Sequence, residues 1–108
     1  MTNEEALKFI DDKVKNNKVV LFMKGSTDFP MCGFSGRVVQ ILKAMGVPFE
    51  GINVLENESL RSAIKEYSNW PTIPQLYVQQ EFIGGCDITT EMAQNGELEK
   101  LLKEKSII

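Results

Sequence analysis

Val19-Val20-Leu21-Phe22-Met23 is a continuous apolar run that ends at Lys24-Gly25, and at this length it suits a strand buried on both faces. Such a strand needs cover above and below, so packing rules point to a sheet sandwiched by helices. The neighbouring segments can supply that cover. Thr2-x-x-Glu5 resembles a capping box, and Ala6, Leu7, Ile10 and Val14 then recur at helical spacing, which predicts a first helix from about Glu4 to Asn16. After a polar loop with Pro30, the residues Phe34, Val38, Ile41, Leu42 and Met45 fall on one helical face, until Gly46 and Pro48 stop the pattern. Cys32 therefore stands at the start of the helix that follows the apolar strand.

Phe49 to Val54 can form a second strand, and Leu60, Ala63, Ile64 and Tyr67 mark another helical face with Asn57 as its cap. Leu76-Tyr77-Val78 and Glu81-Phe82-Ile83 read as an antiparallel hairpin, although Gln79-Gln80 is poor chemistry for a primed turn. Gly84-Gly85 breaks the last strand, Asp87 can cap a short helix, and Leu98, Leu101 and Leu102 line a final helix after Gly96. Residues 1–108 thus read as a single α/β domain, a four-stranded mixed sheet flanked by helices in the thioredoxin-like layout. A thiol between the first strand and its following helix lies at the carboxyl end of a sheet strand, where open α/β sheets present their sites.

Charge and residue usage narrow the chemistry. The formal net charge is -3, so there is no broad positive field for a phosphate backbone and nucleic acid is not an expected partner. No apolar run approaches the roughly 20 residues needed to cross a bilayer, and Met1-Thr2-Asn3-Glu4-Glu5 is acidic rather than signal-like. The expected location is cytoplasmic. Two cysteines and no histidine exclude histidine bases, the common His-rich zinc sites and a self-contained set of cluster ligands. Any metal chemistry must borrow ligands. Free thiols are the default over a disulfide, since nothing indicates export.

Backbone N–H groups at a helix start carry partial positive charge, so a cysteine there has its thiolate stabilised, and Lys24 can add a full charge nearby. In Cys32-Gly33-Phe34-Ser35 a serine stands where a second thiol would close an intramolecular disulfide, so a two-cysteine cycle is lost at this motif. A buried cysteine that merely starts a helix is the competing reading.

Four segments, in order and at matching spacing, change that balance: Phe22-Met23-Lys24-Gly25, Cys32-Gly33-Phe34-Ser35, Trp70-Pro71-Thr72-Ile73-Pro74-Gln75 and Gly84-Gly85-Cys86-Asp87. With them the chain resembles the single-domain, CGFS-type monothiol glutaredoxins over nearly its whole length. The resemblance implies a thioredoxin fold, glutathione binding and a bridging 2Fe-2S cluster. It makes Cys32 the cluster ligand and the reactive thiol. It makes Lys24 and Arg61 partners of the carboxylate at the glycine end of glutathione, Lys as a point charge and Arg as a two-pronged clamp. Without it, Arg61 is an ordinary solvated charge.

The resemblance also implies a cis bond between Ile73 and Pro74, with the Ile73 backbone pairing with the cysteinyl part of glutathione as an added strand would. Thr72 supports that geometry. Gly84-Gly85 permits close approach, the N–H groups of Cys86 and Asp87 can receive a carboxylate, and Asp87 can face the ligand's ammonium.

A 2Fe-2S cluster needs about four thiolate-type ligands, and this chain offers Cys32 and at most Cys86. Two chains giving Cys32 each, with two glutathione thiols, complete the set. The implied state is a cluster-bridged homodimer that stores, assembles or transfers clusters to apo iron-sulfur proteins, with a BolA-type protein as a further partner. The alternative is a glutathione-dependent oxidoreductase that resolves mixed disulfides through Cys32 alone. The Gly25 to Met31 loop, longer than in dithiol glutaredoxins, counts against efficient exchange.

Overall fold

The computed structural model describes residues 1–108. The first helix, α1 (Asn3–Asn16), begins with the expected capping box: Thr2 Oγ1 accepts from the Glu5 N–H at 3.1 Å, and Glu5 accepts from the Thr2 N–H at 2.9 Å. Strand β1 (Val19–Met23) follows and is buried along its whole length. Helix α2 (Gly33–Ala44), strand β2 (Glu50–Asn53) and helix α3 (Glu58–Ser68) come next, then the hairpin of β3 (Gln75–Val78) and β4 (Glu81–Gly84). Helices α4 (Cys86–Asn95) and α5 (Glu97–Glu104) close the chain.

The sheet order is β2-β1-β3-β4, with β1 parallel to β2 and antiparallel to β3. This is the thioredoxin-like arrangement. Side chains of β1 alternate between two cores, as strand geometry requires. Val20 and Phe22 pack with Ile10, Val14, Leu60 and Ile64 under α1 and α3. Val19, Leu21 and Met23 pack with Val38, Leu42, Leu98 and Leu102 under α2 and α5. Each such side chain contributes roughly 1.5–3 kcal/mol when fully buried.

The structure corrects the sequence reading in several places. Phe34 does not join the inner face of α2 but is 63% exposed, and Ser35, at 0%, takes the inward position. The buried arc is Ser35, Val38, Val39 and Leu42, which keeps Val38 and Leu42 of the expected stripe but is turned from Phe34, Ile41 and Met45 toward Ser35 and Val39. Strand β2 stops at Asn53 because its side-chain oxygen accepts from the Leu55 N–H and starts a short 3-10 turn at Val54–Glu56. Asp87 is not a cap: Gly85 precedes α4 and Asp87 lies in the first turn. Asn57 does cap α3, accepting from the Leu60 N–H at 3.1 Å. The hairpin forms a primed turn after all, with Gln79 and Gln80 both at positive φ (45° and 72°). The Gln79 N–H donates to the Lys18 carbonyl at 2.7 Å and its Nε2 to the Lys105 carbonyl at 3.1 Å, which helps hold an unfavourable pair of residues in place.

Candidate functional site

Cys32 caps α2 at the carboxyl end of β1 in extended backbone (φ -148°, ψ 133°), so its sulfur stands over the first turn. The thiol is partly exposed and free. Its pKa is lowered, chiefly by the Ser35 backbone N–H, against an opposing desolvation. The Phe34 N–H, the Lys24 charge and the Ser35 hydroxyl add smaller contributions in the same direction. These amides face the sulfur without closing a capping hydrogen bond onto it. This is the electrostatic setting of a reactive rather than an inert cysteine.

Ser35, fully buried, does a second thing: its Oγ accepts the Lys24 N–H at 3.0 Å. The chain between Lys24 and Cys32 folds back on itself as a miniature hairpin. The Met31 N–H donates to the Lys24 carbonyl at 2.9 Å, the Ser26 N–H to the Phe29 carbonyl at 3.2 Å, and Gly25 pairs with Pro30. Gly25 has φ +90°, and a Cβ there would lie 2.6 Å from the Phe29 oxygen and collide with the Met31 nitrogen. Only glycine fits that turn. The Gly25 N–H is in turn held by Asn53 Oδ1 at 3.0 Å, which ties the loop to the end of β2.

A cleft of about 460 Å³ opens beside Cys32. Lys24, Cys32 and Phe34 form its floor and one side. Lys65 and the segment Trp70, Pro71, Thr72, Ile73 and Pro74 form a second wall, in which the Ile73-Pro74 bond is cis. Gly85, Cys86, Asp87 and Ile88 form the third. The two walls meet closely, since a Cβ on Gly85 would lie 3.2 Å from the Pro74 oxygen and 3.8 Å from Trp70 Nε1. Cys86 Sγ lies 3.8 Å from Thr90 Oγ1, which also accepts from Arg37 Nε at 3.3 Å.

Seven of the eight residues singled out from sequence therefore line one cleft: Lys24, Cys32, Thr72, Ile73, Pro74, Cys86 and Asp87. Arg61 does not. It lies one helical turn before Lys65 on the same face of α3, and Lys65 is the cation at the wall. The i, i+4 spacing of Arg61 and Lys65 was the signal available in sequence. Two lysines face one aspartate in the cleft of a chain whose net charge is -3, a local reversal of sign that favours an anionic ligand. On the loop before Cys32 and the first turn of α2, Phe29, Met31 and Phe34 are 79%, 73% and 63% exposed.

The family model described as Glutaredoxin matches residues 19–83. The probable monothiol glutaredoxin 2 of Rickettsia typhi is 57% identical over 106 residues, covering 98% of this chain and 96% of its own. Among solved structures, reduced poplar apo GrxS14 superimposes with a TM-score of 0.83 at 57% identity, covering 96% of each chain. A buckwheat glutaredoxin crystallised as a glutathione complex superimposes with a TM-score of 0.86 at 25% identity, covering 98% of this chain and 94% of its own.

Proposed function

The chain belongs to the glutaredoxin family and is of its monothiol type, and from that premise we propose that it binds glutathione and carries a 2Fe-2S cluster between two copies of itself. The observation that carries this reading is a lone, activated thiol at the corner of an anion-favouring cleft, with the hydroxyl of Ser35 where a second thiol would stand. The buckwheat relative is described with glutathione in place. In this chain, Lys24 and Lys65 are suited to one end of that tripeptide, and the first-turn amides of α4 with Asp87 to the other. The backbone of Thr72, Ile73 and Pro74, on a wall of the same cleft, suits the cysteinyl unit.

The donor set fits a shared cluster rather than an enclosed one. The chain brings no three His, Cys, Asp or Glu side chains together at one point, so thiolates beyond Cys32 must come from glutathione and a second chain. The exposed rim of Phe29, Met31 and Phe34 gives two copies an apolar surface on which to meet around their thiols. With ligands that exchange, the cluster is cargo, to be handed to apo iron-sulfur proteins or shared with a BolA-type partner.

Anaerobic reconstitution with iron, sulfide and glutathione tests the proposal. The expected product is a brown dimer with about one cluster per two chains, lost when glutathione is removed. A monomer that holds a cluster alone would overturn it. The same activated thiol suits glutathione-dependent exchange, so mixed-disulfide turnover belongs beside cluster transfer in the assay. Fast turnover without transfer would favour the oxidoreductase reading.

A further inference from the structure

Gln75 is fully buried at the start of the inner strand β3, where its backbone pairs with Phe22 of β1. A polar side chain in that position needs a reason, because its desolvation is costly unless it is hydrogen-bonded. The carboxamide is aimed at the cleft wall rather than at the core. Nε2 donates to the Trp70 carbonyl at 3.2 Å and to the Thr72 carbonyl at 3.1 Å. Two carbonyl oxygens on one side of the group can be served only by an NH2, which fixes the orientation of the amide. The remaining oxygen, Oε1, is buried without a partner, which opposes folding. A side chain chosen for stability alone would be apolar here.

We propose that Gln75 is a positioning residue: by holding the Trp70 and Thr72 carbonyls from behind, it sets the wall formed by residues 70–74 at the distance from Cys32 that glutathione requires. The proposal rests on the reading of the cleft as a glutathione site. The clamp reaches the opposite wall as well, because Gly85 abuts the Pro74 oxygen and the Trp70 indole. Phe82 packs on the Trp70 ring with centroids 5.7 Å apart, but that contact holds a ring, whereas Gln75 holds the backbone that lines the cleft.

Trp70 is the sole tryptophan, so the wall carries its own spectroscopic reporter. Gln75→Met keeps the length and removes the donor, and Gln75→Glu keeps the shape while an ionised carboxylate would repel both carbonyls. For each variant and the wild type, acrylamide quenching of Trp70, thermal unfolding and calorimetric glutathione affinity are measured. We expect Gln75→Met to unfold at close to the wild-type temperature, yet with faster Trp70 quenching and glutathione binding weakened about tenfold. Gln75→Glu should weaken binding at least as much. Unchanged quenching, or unchanged affinity despite faster quenching, overturns the clamp. Failure of both variants to fold also overturns it, since Gln75 would then serve the sheet rather than the cleft. A wild type with no glutathione affinity would sink the reading of the site, while the quenching comparison, which needs no glutathione, would still decide whether Gln75 holds the wall.

Discussion

The Lys24 N–H and the Ser35 hydroxyl are joined by a 3.0 Å hydrogen bond behind Cys32, in the angle between β1 and α2. Because Ser35 Oγ accepts there, its single proton is free for the Cys32 sulfur. One buried side chain therefore fixes where the Lys24 backbone lies and adds a small contribution, beside the larger one of its own backbone N–H, to the stabilisation of the neighbouring thiolate.

Ser35→Ala should raise the pH at which Cys32 is alkylated by iodoacetamide, from a wild-type midpoint below the ordinary thiol value of about 8.5. The sign for stability follows from the lowered folded-state pKa. Ionised Cys32 stabilises the fold fully above the unfolded thiol's pKa, and that contribution is lost as pH falls through the folded-state value. The stability difference between wild type and Cys32→Ser in urea should thus widen in favour of wild type from about pH 7 to pH 9. A difference that narrows over that range would contradict the assigned charge state.

Cys32→Ser should abolish cluster assembly, whereas Cys86→Ser should retain most of it. Cys86 Sγ lies 3.8 Å from Thr90 Oγ1 in the first turns of α4, and the side chain packs against the core under α2 and α5. Visible absorption after reconstitution ranks the two, and the reverse order would mean that the ligand is misassigned.

Lys24→Gln and Lys65→Gln should each weaken glutathione binding by more than Arg61→Gln does, because the two lysines line the cleft and Arg61 does not. A charge-assisted hydrogen bond is worth about 1.5–3 kcal/mol at most. Titration calorimetry of the three variants gives the order. Equal affinities throughout would return all three to ordinary surface charge.

Gly25→Ala should destabilise the fold and disturb the thiol together. The left-handed backbone costs an alanine about 1–2 kcal/mol, and the crowding by Phe29 and Met31 adds to it. Melting should fall by about 4–8 °C or more, with a changed Cys32 alkylation rate. A wild-type melting curve would show that the loop can refold around the new methyl.

Ser35→Cys should yield little dithiol reductase activity. The introduced sulfur would sit fully buried, replacing an oxygen already engaged by the Lys24 N–H. Turnover on a glutathione mixed disulfide, compared with wild type, measures the gain. A large gain would mean that the missing second thiol alone limits exchange.

The elements governed by local patterns were legible in the sequence. The double-faced strand at Val19–Met23, the Thr2 and Asn57 caps and the position of Cys32 before α2 all follow from periodicity and capping chemistry. Errors arose where a tertiary contact decides. Phe34 fits a helical stripe, yet a second residue-level choice, which of two adjacent positions turns inward, depends on the Lys24 amide that Ser35 meets. Lys65 and Gln75 carry no such local signal. Lys65 could be found only by extending the Arg61 face by one turn, and Gln75 only by knowing that two carbonyls from a loop five and three residues upstream return to it. Strand alternation places Gln75 in the core but says nothing of its partners.

Gln79 and Gln80, the two left-handed residues of the β3–β4 turn, lie at the opposite end of the sheet from Cys32, with the five residues of β1, roughly 16 Å, in between. An L-residue in that backbone region forfeits about 1–2 kcal/mol that a glycine would not. Gln79 recovers part of the loss through its bonds to Lys18 and Lys105, while the Gln80 side chain makes no hydrogen bond within the chain. The molecule thus carries an untapped reserve of thermostability at Gln80, remote from every group that touches ligand, where glycine would harden the protein for industrial or crystallographic use and leave its chemistry alone.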